Sequence, residues 1–92
     1  MTISTAESFL MENWDDDEIA IFRLFNFRCL VCPRTAVVLH EIIPKSKAPK
    51  TWNRPENKVP LCAEDHEKIH RYGAMRYVEF LTTRRSIRAN AN

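Results

Sequence analysis

The sequence predicts a small α+β domain in which a short β-hairpin hands over to a helix, with further helices before and after it. Three observations carry this expectation. Two brief stretches, 35–43 and 58–61, have the Val, Leu and Ile content of strands and are bounded by proline and polar residues. Directly after the second, the residues take helical spacing, with His66 and His70 one turn apart on one face. A chain of 92 residues allows one domain, 1–92, with only a modest core, and such a core often needs a metal to staple it.

The elements follow in chain order. Ser4-Thr5-Ala6-Glu7 has capping-box form and can start a short helix carrying Phe9 and Leu10. Asp15 with Glu18 three residues on repeats the pattern before Ile19, Phe22, Leu24 and Phe25, predicting a helix over 15–27 with Trp14 as a hydrophobic staple. The first strand spans Thr35 to Ile43 and is stopped by Pro44. Residues 44–57 form a loop with Trp52 and the cations Lys45, Lys47, Lys50 and Arg54, and 58–61 returns as the second strand. Gly73 ends the central helix, and a last helix runs from Ala74 to about Arg88 with Val78 and Leu81 inward, leaving 89–92 as a frayed tail. The domain thus divides into an acidic helical segment 1–27, a core 28–72 and a basic helix and tail 73–92.

Charge is unevenly spread. Residues 1–27 hold Arg23 against six acids, a net −5, whereas 28–92 hold thirteen Lys and Arg against six acids, a net +7. A basic body suits a polyanionic partner such as nucleic acid, and the acidic head offers a docking surface for a protein; charge alone also fits an ordinary solvated surface. Three cysteines are an odd number, no apolar run approaches the ~18 residues of a membrane span, and the N-terminus lacks signal-peptide form. The expected compartment is the cytoplasm, where thiols stay reduced and available to a metal.

Cys29-Leu30-Val31-Cys32-Pro33 places two thiols where a tight turn can clamp one ion. The same spacing serves redox pairs, but those open a helix, and here Pro33 and a β-branched stretch follow. His40-Glu41 sets two ionisable groups inside an apolar strand, a costly arrangement unless they are paired or metal-bound. His66 and His70 can aim their rings at one divalent ion, with Cys62 at the junction of strand and helix.

His40-Glu41-Ile42-Ile43-Pro44, then Asn57, then Leu61-Cys62 and His66, with His70 one turn on, resemble the HNH endonucleases over about residues 29–71, including the Cys-x-x-Cys knuckle. The resemblance implies a ββα-metal, treble-clef-like core and hydrolysis of phosphodiester bonds in nucleic acid, double-stranded DNA in the first place, with one divalent ion (Mg²⁺, Mn²⁺, Ni²⁺ or Zn²⁺). It implies the setting of a bacterial or phage-infected cell, since standalone domains of this kind are common in phages and prophages. By the resemblance, His40, His66 and His70 hold the catalytic ion and Asn57 fastens the loop. Glu41 falls on the general-base position, which is His in most members. Either Glu41 serves as the base, or His40 and Glu41 exchange roles, or the site has lost activity and the protein is a non-catalytic zinc module that binds DNA or protein. The knuckle of the family is usually completed by a second Cys pair, but here Cys62 is followed three residues on by Asp65. Cys29, Cys32, Cys62 and Asp65 then form a structural zinc site, unless His66 turns to that ion instead. Lys45, Lys47, Lys50, Arg54, Arg84, Arg85 and Arg88 are the expected phosphate contacts.

Overall fold

A computed structural model describes residues 5–91, with side chains for 8–91. Four helices, α1 (Thr5–Asn13), α2 (Asp16–Leu24), α3 (Ala63–Tyr72) and α4 (Val78–Asn90), surround one antiparallel hairpin of β1 (Val38–Glu41) and β2 (Lys58–Leu61). The domain is α+β, as expected. Among the described residues no helix is long and apolar enough to cross a membrane.

The acidic head folds as two short helices. The capping box expected at Ser4 lies outside the described residues; α1 buries Leu10 completely and leaves Phe9 exposed. Asp15 caps α2: its carboxylate accepts from the Glu18 backbone N–H at 2.9 Å, and the Glu18 carboxylate accepts from the Asp15 N–H at 3.1 Å. Trp14 lies on Phe22, ring centroids 5.8 Å apart. The helix stops at Leu24, three residues short of the expected Phe27, because Asn26 and Phe27 turn into the left-handed region at φ 55° and 60°. There the Asn26 N–H donates to the Arg23 carbonyl and the Phe27 N–H to the Phe22 carbonyl, the two bonds of a Schellman motif. The stop aims the chain into the knuckle, and Phe27 keeps an aromatic side chain where L-residues are strained.

The strand expected over 35–43 is regular only over 38–41. Its partner is four residues long, with Val38 facing Leu61, Leu39 facing Pro60, His40 facing Val59 and Glu41 facing Lys58. Thr35 instead bridges Arg28 across the base of the knuckle. Pro60 has no N–H for the ladder, yet its carbonyl accepts from Leu30 at 2.9 Å and so ties the knuckle to β2. The loop between the strands is a chain of tight turns: Trp52 donates to the Ala48 carbonyl, Arg54 to Thr51 and Asn57 to Arg54.

Two apolar clusters hold these pieces together. One gathers Ile21, Phe25, Leu30, Ile42, Val59, Leu61, Ile69 and Leu81 with Cys29 and Cys62; the other gathers Leu10, Ile19, Phe22 and Ala36 under Trp14. Leu24, expected on the apolar face of α2, is 40% exposed. After Gly73, whose φ of 103° suits a residue without a Cβ, one 3₁₀ turn over Ala74–Tyr77 precedes α4. Leu81 is buried and Val78 packs against the cluster, as expected. The helix runs on to Asn90, so Ala89 is helical and not part of a frayed tail.

The arginines of α4 bind the body. Arg84 donates to the Leu30 carbonyl at 2.6 Å, Arg88 reaches the same oxygen at 3.4 Å, and Arg85 donates to Lys58 at 3.0 Å and Pro55 at 2.9 Å. Arg85 also lies over the Phe25 ring at 5.4 Å, where burial holds its pKa below the usual range. Arg85→Ala leaves the Lys58 and Pro55 carbonyls without their charged donor, and should lower stability by about 1.5–3 kcal/mol. Urea unfolding compared with wild type measures it; an unchanged midpoint would make Arg85 a surface residue in energetic terms.

Candidate metal centres

The knuckle is built by the backbone before any ligand is considered. Arg28 and Thr35 bridge its base, the Cys29 N–H donates to the Arg34 carbonyl at 2.8 Å, and the Arg28 guanidinium donates to the Pro33 carbonyl at 3.0 Å. This turn holds Cys29 and Cys32 side by side. Cys62 enters from the end of β2 as the N-cap of α3, its sulfur accepting from the Asp65 N–H at 3.4 Å. Sulfur thus stands where Ser or Asp usually caps, and a negative group there suits the helix dipole. Arg34 reaches Glu64 in the first turn of α3, an exposed ion pair that adds little energy.

The ligand atoms of Cys29, Cys32, Cys62 and Asp65 all lie within 4.8 Å of one another, close enough to hold a metal ion. The Asp65 Oδ2 atom accepts from both the Cys29 and Cys62 thiols at 3.2 Å, and the Cys32 and Cys62 sulfurs are 3.7 Å apart. The Asp65 carboxylate beside the Cys32 thiol pushes that thiol up to about 12, and burial raises Cys29. The Cys32 thiol in turn helps hold Asp65 below its ordinary range. Thiol protons therefore hold the four groups together, and a cation seated among them would take the place of those protons. Three soft sulfur donors and one carboxylate form a tetrad of the kind that zinc accepts.

A second group stands on the other side of α3. His40, His66 and His70 bring one ring nitrogen each within 4.8 Å of one another. The rings meet edge to face, with His66 Nε2 and His70 Nε2 2.9 Å apart. His40 is 3% exposed, and its Nε2 is buried without a hydrogen-bond partner. Burial, then the neighbouring His66 and His70, lowers its pKa to about 4; burial and His70 lower that of His66. Both rings are therefore neutral near pH 7, the form that binds a metal. A buried His40 ring packed against two further imidazoles, with one nitrogen of each within 4.8 Å of the others, could hold a divalent ion.

The remaining candidates are distributed unequally. Asn57 uses its whole amide: Oδ1 accepts from the Ile43 N–H, and Nδ2 donates to the Ile43 and Trp52 carbonyls, each at 2.8 Å. It fastens both ends of the loop. Glu41 sits one residue beyond His40, and alternation along β1 sends the two side chains to opposite faces. Its Oε2 is the other buried side-chain atom without a partner among the described residues. Lys45, Lys47, Lys50 and Arg54 stand exposed on the loop, with Lys45 over the Trp52 ring at 5.0 Å. Arg84, Arg85 and Arg88, expected beside them as phosphate contacts, direct guanidinium nitrogens to backbone carbonyls. The Arg85 staple went unnoticed in the sequence, because a basic residue in a basic helix carries no local sign of its distant acceptors.

The buried His40 makes the fold acid-sensitive. It protonates near 6.5 when unfolded but only near 4 in place, so its contribution is full above about pH 6.5 and is lost as pH falls toward 4. Urea midpoints should drop over that window in wild type and more shallowly in His40→Gln; parallel curves would mean that His40 does not carry the effect. No family model, no curated protein and no solved structure matches this chain, so its own geometry is what bears on function.

Proposed function

We propose that this protein is a metal-dependent endonuclease of HNH type that hydrolyses phosphodiester bonds in DNA. In this reading, residues 28–72 form a ββα-metal core of treble-clef kind. The observation that carries the proposal is the buried His40 on the adjoining strand, whose Nε2 has no partner and whose ring stands against those of His66 and His70. A helix pairing His66 with His70 is unremarkable alone, but a third imidazole buried at a cost beside them is what a working site needs. A divalent ion bound there supplies positive charge against the phosphate as its negative charge grows in the transition state.

The chain's own groups do the rest. His40, His66 and His70 offer ring nitrogens as ligands. Asn57 keeps the loop closed, so the strand end carrying His40 and Glu41 stays in register with α3. Glu41 takes the proton of the attacking water, which forms the new P–O bond as the bond to the leaving oxygen breaks. The loop cations Lys45, Lys47, Lys50 and Arg54 meet phosphates regardless of sequence, so affinity falls steeply with salt. Cys29, Cys32, Cys62 and Asp65 hold a structural zinc that stiffens the start of α3. One observation favours a non-catalytic zinc module instead: strand alternation turns Glu41 away from the face that carries His40.

Two experiments test this reading. The protein should purify with about one firmly held zinc, because thiolate ligation is coupled to folding in so small a core, and Cys32→Ser should lose it. Well-folded protein without zinc would remove the structural site from the proposal. Supercoiled plasmid incubated with Mg²⁺, Mn²⁺, Ni²⁺ or Zn²⁺ should be nicked. Glu41→Gln should slow nicking by about 10² to 10⁴ while leaving metal affinity similar, the usual cost of losing a general base. If metal affinity falls with the rate and His40→Ala behaves as the base deletion, the two residues exchange roles. Intact plasmid under every metal favours the non-catalytic module.

A further inference from the structure

Cations around the knuckle are unevenly paired. Arg34 reaches Glu64, and on α3 Arg71 reaches Glu67, so each of these has its acid. Arg28, Arg84 and Arg88 have none among the described residues, yet they stand together. They line one open cleft of about 500 Å³ with Val31, Cys32 and Pro33, and no acid lines it. Arg84 and Arg88 lie one turn apart on the same side of α4, and both donate to the Leu30 carbonyl, at 2.6 Å and 3.4 Å. Two guanidinium groups that share one acceptor are held within a few ångströms of each other, where like charges repel. Arg28 enters the cleft from the base of the knuckle, fixed by its bond to the Pro33 carbonyl at 3.0 Å. We propose that these three arginines form an oxyanion site that takes one phosphate group, either of a nucleic-acid backbone or of a free phosphate ester.

Guanidinium chemistry selects this ligand. Each of the three side chains carries several N–H donors and spends one on a carbonyl, with no other hydrogen bond among the described residues. The carbonyl bonds set the direction of each planar fork before a ligand arrives, which lowers the cost of ordering a flexible side chain on binding. The free edges then offer paired donors, and the oxygens of a phosphate accept them two at a time. Phosphate also places negative charge among cations that no other group in the cleft offsets. None of His40, His66 and His70 lines the cleft, so the site is separate from the histidine centre and does not rest on hydrolysis of DNA. It does border the cysteine tetrad through Cys32. Three thiolates and a carboxylate around a dication carry net negative charge, and offsetting that charge is the competing role for the arginines.

Calorimetric titration of the zinc-loaded full chain with sodium phosphate, against sodium chloride at equal ionic strength, tests the site. One saturable site is expected with a Kd of about 0.1–1 mM, the strength of a few charge-assisted hydrogen bonds. Arg88→Gln should weaken it by about tenfold or more, the cost of losing one such bond. This variant should keep the wild-type circular dichroism spectrum and zinc content, because Arg84 still serves the Leu30 carbonyl. Arg28→Gln, at the exposed rim, should act in the same direction. Arg34→Gln removes an equal charge that is already paired, and should leave phosphate binding at wild-type strength. Duplex DNA titrated without a catalytic ion separates the two sources. If the backbone supplies the phosphate, Arg88→Gln lowers the slope of log affinity against log salt by about one, and inorganic phosphate competes with the duplex. If a free ester supplies it, that slope stays and only the phosphate titration changes. Wild type without saturable phosphate binding overturns the proposal, and so does equal weakening by Arg34→Gln, which would make the attraction one of net charge. Zinc lost from Arg88→Gln, with wild type indifferent to phosphate, assigns the arginines to the tetrad and overturns it too.

Discussion

Three sulfurs and a carboxylate drawn into one small volume from three parts of the chain repel one another unless protons or a cation stand between them. The rest of the structure depends on that meeting. The knuckle brings Cys29 and Cys32, β2 delivers Cys62, and the first turn of α3 contributes Asp65. Take the meeting apart and α3 loses its cap, the knuckle loses its anchor, and Leu30 leaves the carbonyl of Pro60. The apolar clusters on either side are small, and both border the segment that the cysteines pin. A tetrad of this kind supplies in one place what a larger protein obtains from a larger core.

The second centre inherits its geometry from the first. Cys62 sets where α3 begins, and that start sets the rotation at which His66 and His70 leave the helix. His40 meets them only because β1 is held in register against β2, and Asn57 keeps the long connection from pulling that register apart. Burial of His40 is therefore a product of distant constraints. It also costs stability, because a buried imidazole nitrogen is left without a hydrogen-bond partner.

Much of this was legible in the residues themselves. The α+β class followed from two apolar stretches and a change to helical spacing, and the cap of α2 followed from Asp15 and Glu18. The Cys29–Cys32 spacing is local and could be read directly, whereas its meeting with Cys62 and Asp65, about 30 residues on, was implied only by the resemblance to the HNH endonucleases. Long-range hydrogen bonds were not legible. Nothing in the local sequence marks Arg84, Arg85 and Arg88 as donors to backbone oxygens that lie 27 to 58 residues away. Strand length is not legible for a related reason: 35–43 has the composition of a strand throughout, but a ladder extends only as far as its partner, and β2 spans only Lys58–Leu61. The early stop of α2 escaped notice because left-handed geometry at Phe27 runs against the preference of an aromatic residue.

Asp65 and His66 are consecutive, yet one faces the cysteines and the other the histidines. Neighbours on a helix are separated by about 100° of rotation, so the stretch 62–70 works as an axle with two fixed spokes. Its length is consequently not free to drift. Removing or adding one residue between Cys62 and His66 would swing the imidazoles away from His40 while the cysteines kept their hold. The connection over 44–57, pinned at its ends by Asn57, carries no such restriction. Related chains that diverge from this one should accordingly differ in length there, and scarcely at all along the first two turns of α3.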